Sequence, residues 1–277
     1  AATAEVHAPF LSGFSSLAYD TPGYGYGVKD ETGTPVLQKG LAELAEEFDV
    51  PYVLDNAWGL PFVGHDLRKS GGHAIVYSMD KASGSGTSGL IIGREDVMVP
   101  IRRAMGFHGD RWGTTASYGK AAYVMIDPGK EALLTQVAVL KDLRDNPEMY
   151  TSQVDKLYEI VTSEVDQVHP KLKQGLVISK SYNSGTVEIN YENTWKEGMG
   201  FPIFSIEDMY AGSHLLQVGC AQMGIIATIS YDGNIFISPG QGTSDEEGNL
   251  DEEKMRLAVK GLLTLMEIIG KHAGFLS

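Results

Sequence analysis

Short apolar segments alternate with helical periodicities along the first half of the chain. Residues 52–54, 74–77 and 89–92 are apolar runs bounded by turn residues, which is typical of strands buried on both faces of a sheet. Between residues 34 and 48 the apolar positions recur at helical spacing, and the pattern ends before Asp49. The alternation predicts an α/β fold with a mostly parallel sheet and helices on both faces.

The turn-forming residues Asp145-Asn146-Pro147 indicate a boundary between two domains. We predict a large domain at residues 1–145. Residues 146–277 are predicted to form a linker helix and a smaller α+β C-terminal domain. The pattern predicts strands at 4–11, 186–190, 225–229 and 235–237, and helices at 94–105, 114–125, 127–143, 149–168 and 251–273.

The composition narrows the possible functions. No apolar run approaches the ~18 residues that a membrane helix needs, and no signal-peptide pattern opens the chain. A net charge of -14 disfavours binding to the phosphate backbone of nucleic acids. The single cysteine, Cys220, excludes an internal disulfide framework and suits a reducing compartment, so we predict a cytoplasmic protein. We interpret Cys220 as a small buried residue near a helix end.

Two of the predicted strands end in side chains of opposite charge. The strand at 52–54 is followed by Asp55, and the strand at 74–77 leads through Ser78 to Lys81. A lysine at a buried strand end is costly unless its amine is paired or has reacted, and attachment to a carbonyl removes that cost. Because ligands of open α/β sheets bind beyond the carboxyl ends of the strands, Asp55 and Lys81 are expected at one site.

Residues 36–127 resemble the large domain of fold-type I pyridoxal-phosphate enzymes, the aspartate aminotransferase superfamily. The run from Ser88 to Asp96 looks most like that of the selenocysteine synthase-like lyases and transferases. The resemblance implies pyridoxal 5'-phosphate as cofactor, a Schiff base on Lys81 and contact of Asp55 with the pyridine nitrogen. It also implies a homodimer that acts on an amino-acid substrate.

Further cofactor contacts are expected from Ser78, Asn56, Ala57 and Ser83. Ser78 matches the phosphate-binding serine of the family. The arginine that many aminotransferases carry eight residues after the lysine is replaced by Gly89, so Ser83, Ser85 or backbone amides would take its place. Asn56 contacts the cofactor hydroxyl or is an ordinary turn residue.

The loop at residues 106–115 carries two candidates for substrate contact. His108 is a candidate proton shuttle and Arg111 a candidate partner for a carboxylate or phosphate, whereas a helix cap is the structural alternative for Arg111. His73 is interpreted as a surface or turn residue. No close pair of His or Cys has metal-ligand spacing, so no metal site is predicted.

The expected reaction is elimination or substitution at an amino acid, with an aminotransferase of the same fold as the alternative. The preference arises because residues 237–242 lack the arginine that often binds the substrate carboxylate. Only about fifty residues precede Asp55, so we expect a fragment that lacks the N-terminal part of the large domain. A truncated, non-catalytic protein of this fold is therefore a second alternative. A nucleotide-binding domain is disfavoured because no Gly-x-Gly-x-x-Gly turn lies between a predicted strand and a predicted helix with an acidic residue downstream.

Overall fold

The computed structural model describes residues 1–20, 27–64, 66–84, 86, 88–104, 129–191, 209–226, 228–229 and 234–276. The chain divides into two compact units, Ala1–Pro147 and Glu148–Ser277. Every helix within the described ranges lacks the combination of length and apolar composition that a bilayer crossing requires.

The first unit contains a mixed sheet of four strands. They are β1 (Phe14–Leu17), β2 (Tyr52–Asp55), β3 (Ala74–Ser78) and β4 (Gly89–Gly93), in the order β1-β2-β3-β4. The first three are parallel, although no strand was predicted at β1, whereas β4 is antiparallel to β3, so the prediction of a mostly parallel sheet is confirmed only in part. The connection at residues 79–88 is too short for the crossover that parallel neighbours need, so the chain returns antiparallel.

Helices alternate with these strands along the chain. The predicted helices at 34–48, 94–105 and 127–143 are confirmed with small shifts of their ends, whereas the one at 114–125 lies outside the described residues. The helices of this unit are α1 (Ala2–His7), α2 (Val36–Glu47), α3 (Leu67–Ser70), α4 (Met79–Ser83), α5 (Glu95–Ala104) and α6 (Lys130–Asp145).

The predicted strand at residues 4–11 is wrong. This segment forms α1 and a 3-10 turn at Ala8–Phe10 instead. Pro9 cannot donate to a strand ladder and suits the first turn of a helix. Val6 and Phe10 are exposed, so the apolar residues of this segment do not enter the core in the way that a central strand requires.

The core of the first unit lies between the sheet and α2. Ala42 and Ala45 of α2 are buried together with Tyr52, Leu54 and other side chains of the central strands. The Tyr52 hydroxyl is satisfied by Ser16 Oγ of β1, at 2.6 Å. This core fixes the positions of the strands whose carboxyl ends carry the candidate site.

The amino ends of the strands are joined to α2 through His73. The prediction of a surface or turn residue is wrong, because the His73 side chain is only 3% exposed. Its Nδ1 accepts a hydrogen bond from the Tyr52 backbone N–H at 3.2 Å, so its Nε2 carries the proton and donates to Glu46 Oε1 at 2.9 Å. Arg94 binds the same Glu46 oxygen at 2.7 Å. These contacts lie at the end of the sheet opposite the candidate site.

The second unit contains an antiparallel sheet with the order β5-β6-β8-β7. The strands predicted at 186–190 and 235–237 are confirmed, but the one at 225–229 is shorter than expected, because Ile225 and Ile226 precede the strand and Ile226 is exposed. The strands are β5 (Val177–Ser181), β6 (Thr186–Asn190), β7 (Thr228–Ile229) and β8 (Asn234–Ile237).

The core of the second unit forms between one face of this sheet and the long helices. The two longest, predicted at 149–168 and 251–273, are confirmed as α7 and α10. Cys220 is buried near the end of α9, as interpreted from the sequence, and burial raises the pKa of its thiol. The helices are α7 (Pro147–Val165), α8 (Pro170–Lys173), α9 (Met209–Gln222) and α10 (Glu252–His272).

Candidate active site at the carboxyl edge of the sheet

The carboxyl ends of three parallel strands bring the candidate residues to one edge of the first sheet. Leu17 at the end of β1 pairs with Asp55 at the end of β2, and Asp55 pairs with Val76 of β3. The β3 strand continues to Ser78 at the same edge. Residues just beyond these ends therefore face the region where open α/β sheets bind ligands.

Asp55 has an exposed carboxylate that is held on one side only. Its Oδ1 accepts a hydrogen bond from the Ala57 backbone N–H at 3.0 Å. Its backbone oxygen accepts from the Ala18 N–H at 2.9 Å, which continues the pairing of β1 with β2. The second carboxylate oxygen, Oδ2, has no protein partner among the described residues. It is thus available to a ligand.

Tyr19 and Trp58 form an aromatic pair beside Asp55. Their ring centroids lie 5.5 Å apart, with an angle of 27° between the rings. The Trp58 backbone N–H donates to the Tyr19 hydroxyl at 3.2 Å. Burial raises the pKa of Tyr19 to about 12, and the nearby Asp55 carboxylate acts in the same direction. Tyr19 was not identified from the sequence, since its relation to Asp55 depends on the pairing of β1 with β2.

Asn56 is fully buried, so its side chain faces the interior of the unit. Neither Nδ2 nor Oδ1 makes a hydrogen bond of standard geometry within the described ranges. Burial raises the pKa of Tyr77, and the neighbouring Asn56 side chain partly offsets that rise. A Cβ added to Gly59 would overlap the Asn56 amide. Any side chain at position 59 would therefore displace the Asn56 amide.

Replacing Gly59 with alanine is expected to destabilise the protein by about 1–3 kcal/mol, because the new methyl group would displace the buried Asn56 side chain. Urea unfolding would measure the change. Gly40→Ala is the matched control. It lies in α2 with open space around the added Cβ and is expected to stabilise the protein by about 0.5–1 kcal/mol. Stabilisation by both substitutions would contradict the proposed packing at Gly59.

Lys81 lies on α4, three residues beyond the end of β3. The expectation of an amine at a buried strand end is wrong, since the strand stops at Ser78 and a short helix carries Lys81 to an exposed position. Gly84 ends this helix in the left-handed conformation, with φ of 62°. An exposed amine needs no buried partner and is open to a carbonyl compound.

The hydroxyl of Ser78 is engaged by a neighbouring side chain. Ser78 Oγ donates to Asp80 Oδ1, so it can bind a phosphate only after that hydrogen bond is broken. Ser88 Oγ is buried and has no partner in the part of the chain that the structure describes. Ser83 lies in α4, but its side chain is outside the described set. Ser85, His108 and Arg111 also lie outside the described residues.

These side chains meet part of what pyridoxal phosphate requires. Asp55 offers a free carboxylate oxygen for a protonated ring nitrogen, and Lys81 offers an exposed amine beyond the adjacent strand. The Trp58 ring stacks on the nearly buried Tyr19 ring beside that carboxylate. The cofactor phosphate has fewer available partners among the described residues, because the Ser78 hydroxyl already donates to Asp80. In the described ranges, no three His, Cys, Asp or Glu side chains are arranged as metal ligands.

No protein-family model and no curated protein matches the sequence. Solved structures do match. An S-selective transaminase from Bacillus megaterium gives a TM-score of 0.56 at 12% identity, covering 96% of this chain and 53% of that one. An adenosylmethionine-8-amino-7-oxononanoate aminotransferase from Methanocaldococcus jannaschii gives a TM-score of 0.57 at 12% identity, covering 96% of this chain and 56% of that one.

A third similar structure is an ornithine aminotransferase from Toxoplasma gondii with partial occupancy of pyridoxal phosphate at its active site. It gives a TM-score of 0.53 at 14% identity, covering 94% of this chain and 52% of that one. The chain therefore has the fold of these aminotransferases and spans about half of their length. None of the three is a selenocysteine synthase-like enzyme, so that narrower resemblance stays a prediction.

Proposed function

We propose that this protein is a pyridoxal-phosphate-dependent enzyme that acts on an amino-acid substrate. The observation that carries the proposal is the pairing of β2 with β3. It sets the free carboxylate oxygen of Asp55 at the same sheet edge from which α4 leads to the exposed Lys81. The fold shared with aminotransferases supports this interpretation.

Each of the two residues would have a distinct task. Asp55 would accept a hydrogen bond from the ring nitrogen, and its negative charge would keep that nitrogen protonated. Lys81 would hold the cofactor through its amine and, when released, would accept the proton of the substrate Cα. When bound, the cofactor would supply an electron sink for the charge left at that carbon.

Two reactions are candidates. The similar solved structures are aminotransferases, which favours transfer of the amino group to a 2-oxo acid. Elimination or substitution is favoured because residues 237–242 lack the arginine that often binds the substrate carboxylate in aminotransferases. The resemblance also implies a homodimer, which sedimentation of the purified protein would test.

Incubation with amino acids, with and without a 2-oxo acid, separates the two reactions. Transfer requires the 2-oxo acid and forms a new amino acid from it, whereas elimination releases ammonia in its absence. The Lys81→Ala variant is the control for cofactor-independent turnover. Failure of the protein to take up pyridoxal phosphate would contradict the proposal and favour the non-catalytic alternative.

A further inference from the structure

The turn after β2 holds two side chains through consecutive peptide groups. The Ala57 N–H donates to Asp55 Oδ1 at 3.0 Å, and the Trp58 N–H donates to the Tyr19 hydroxyl at 3.2 Å. Because the two N–H groups belong to neighbouring residues, a shift of one peptide group moves the other. A displacement of the Tyr19 hydroxyl is therefore passed through these peptide groups to the Asp55 carboxylate.

Tyr19 can serve as the fixed end of this connection. It follows β1, and the Ala18 N–H binds the Asp55 backbone oxygen at 2.9 Å. Its side chain is only 6% exposed, and its ring stacks on Trp58. Burial, assisted by the Asp55 charge, raises the pKa of the phenol to about 12, so the group is neutral at physiological pH and accepts the Trp58 N–H as a phenol.

Asp55 has little else to restrain it. Its carboxylate is exposed, and the bond from the Ala57 N–H is its one hydrogen bond among the described residues. A carboxylate with a single anchor keeps rotational freedom, which a charge partner for a ring nitrogen has to lose on binding. If the turn at Ala57 and Trp58 is fixed before the ligand binds, the Asp55 carboxylate has less rotational freedom to lose.

We infer that Tyr19 is a positioning residue for Asp55: its hydroxyl fixes the Ala57–Trp58 turn, and the turn fixes the carboxylate that faces the ligand. The inference rests on the proposed function, since it assigns Asp55 to the cofactor. It adds a residue that follows β1, in a different part of the chain, to the set that determines cofactor affinity.

Tyr19→Phe tests the inference, because phenylalanine keeps the ring and removes only the hydroxyl. Amide hydrogen exchange at Trp58 and Ala57, measured without cofactor, is expected to accelerate about tenfold, and the Kd for pyridoxal phosphate to rise about tenfold. In the Asp55→Asn background the same substitution is expected to change the Kd less than about twofold, because residues that act through one another are not additive.

Tyr52→Phe is the matched control. It also removes the hydroxyl of a buried tyrosine. This hydroxyl bonds Ser16 of β1 and does not touch the turn. It is expected to lower stability while leaving the cofactor Kd and the Ala57 exchange rate within about twofold of the unsubstituted protein. A Kd effect of equal size in both variants would show that Tyr19 has a general structural role.

The exchange rates separate failure of this inference from failure of the proposed function. An unchanged Ala57 exchange rate in Tyr19→Phe would overturn the inference whether or not the cofactor binds. An unsubstituted protein that binds no pyridoxal phosphate would overturn both the proposed function and the role of Tyr19 in affinity. The exchange rates would then still decide whether Tyr19 holds the turn.

Discussion

Replacing Lys81 with alanine is expected to abolish the pyridoxal-phosphate adduct that borohydride reduction traps on the protein. Lys81 is the one lysine of the sequence that follows an apolar strand and precedes a run of small residues. Its amine is exposed on α4 and is open to the cofactor carbonyl. Alanine provides no nucleophile at this position, so the trapped label should fall to background.

Peptide mapping of the reduced protein by mass spectrometry gives the site of attachment directly. Lys69→Ala is the matched control, because Lys69 is also an exposed lysine on a short helix, α3, that precedes β3. This variant should retain the adduct in full. An adduct on Lys69 or Lys120 in the unsubstituted protein would refute the assignment of Lys81.

The strands around the site could be predicted from the sequence because strands that are buried on both faces appear as short apolar runs. Tyr52, Leu54 and Ile75 are almost completely buried, as expected for apolar runs in central strands. Strand direction is not encoded in such runs. The antiparallel β4 was therefore not predicted, and only the short connection after Ser78 explains it.

The site was predicted in part for a similar reason. Asp55 and Lys81 could be identified because each follows a recognisable strand. Tyr19 precedes Trp58 by 39 residues, and their contact arises only when β1 pairs with β2. The exposure of Lys81 and the burial of His73 were missed because one residue more or less in a strand or turn changes which side chain enters the core.

Asp55→Asn is expected to retain cofactor binding with a Kd about tenfold higher, while turnover at saturating cofactor falls on the order of 10²-fold, the effect of losing one preorganised electrostatic partner. Asparagine keeps the oxygen that accepts the Ala57 N–H, so the turn is preserved. It lacks the negative charge that would keep the ring nitrogen protonated, and the cofactor would then withdraw electrons less effectively from the substrate Cα.

A cofactor analogue with a methyl group on the ring nitrogen separates charge from shape in the Asp55→Asn variant. The analogue stays cationic whatever residue occupies position 55, so part of the lost turnover should return. Single-turnover rates measured at saturating cofactor, together with the cofactor Kd, would separate the effect on chemistry from the smaller effect on binding. Turnover close to that of the unsubstituted protein with the natural cofactor would mean that the Asp55 carboxylate serves only to hold the Ala57 turn.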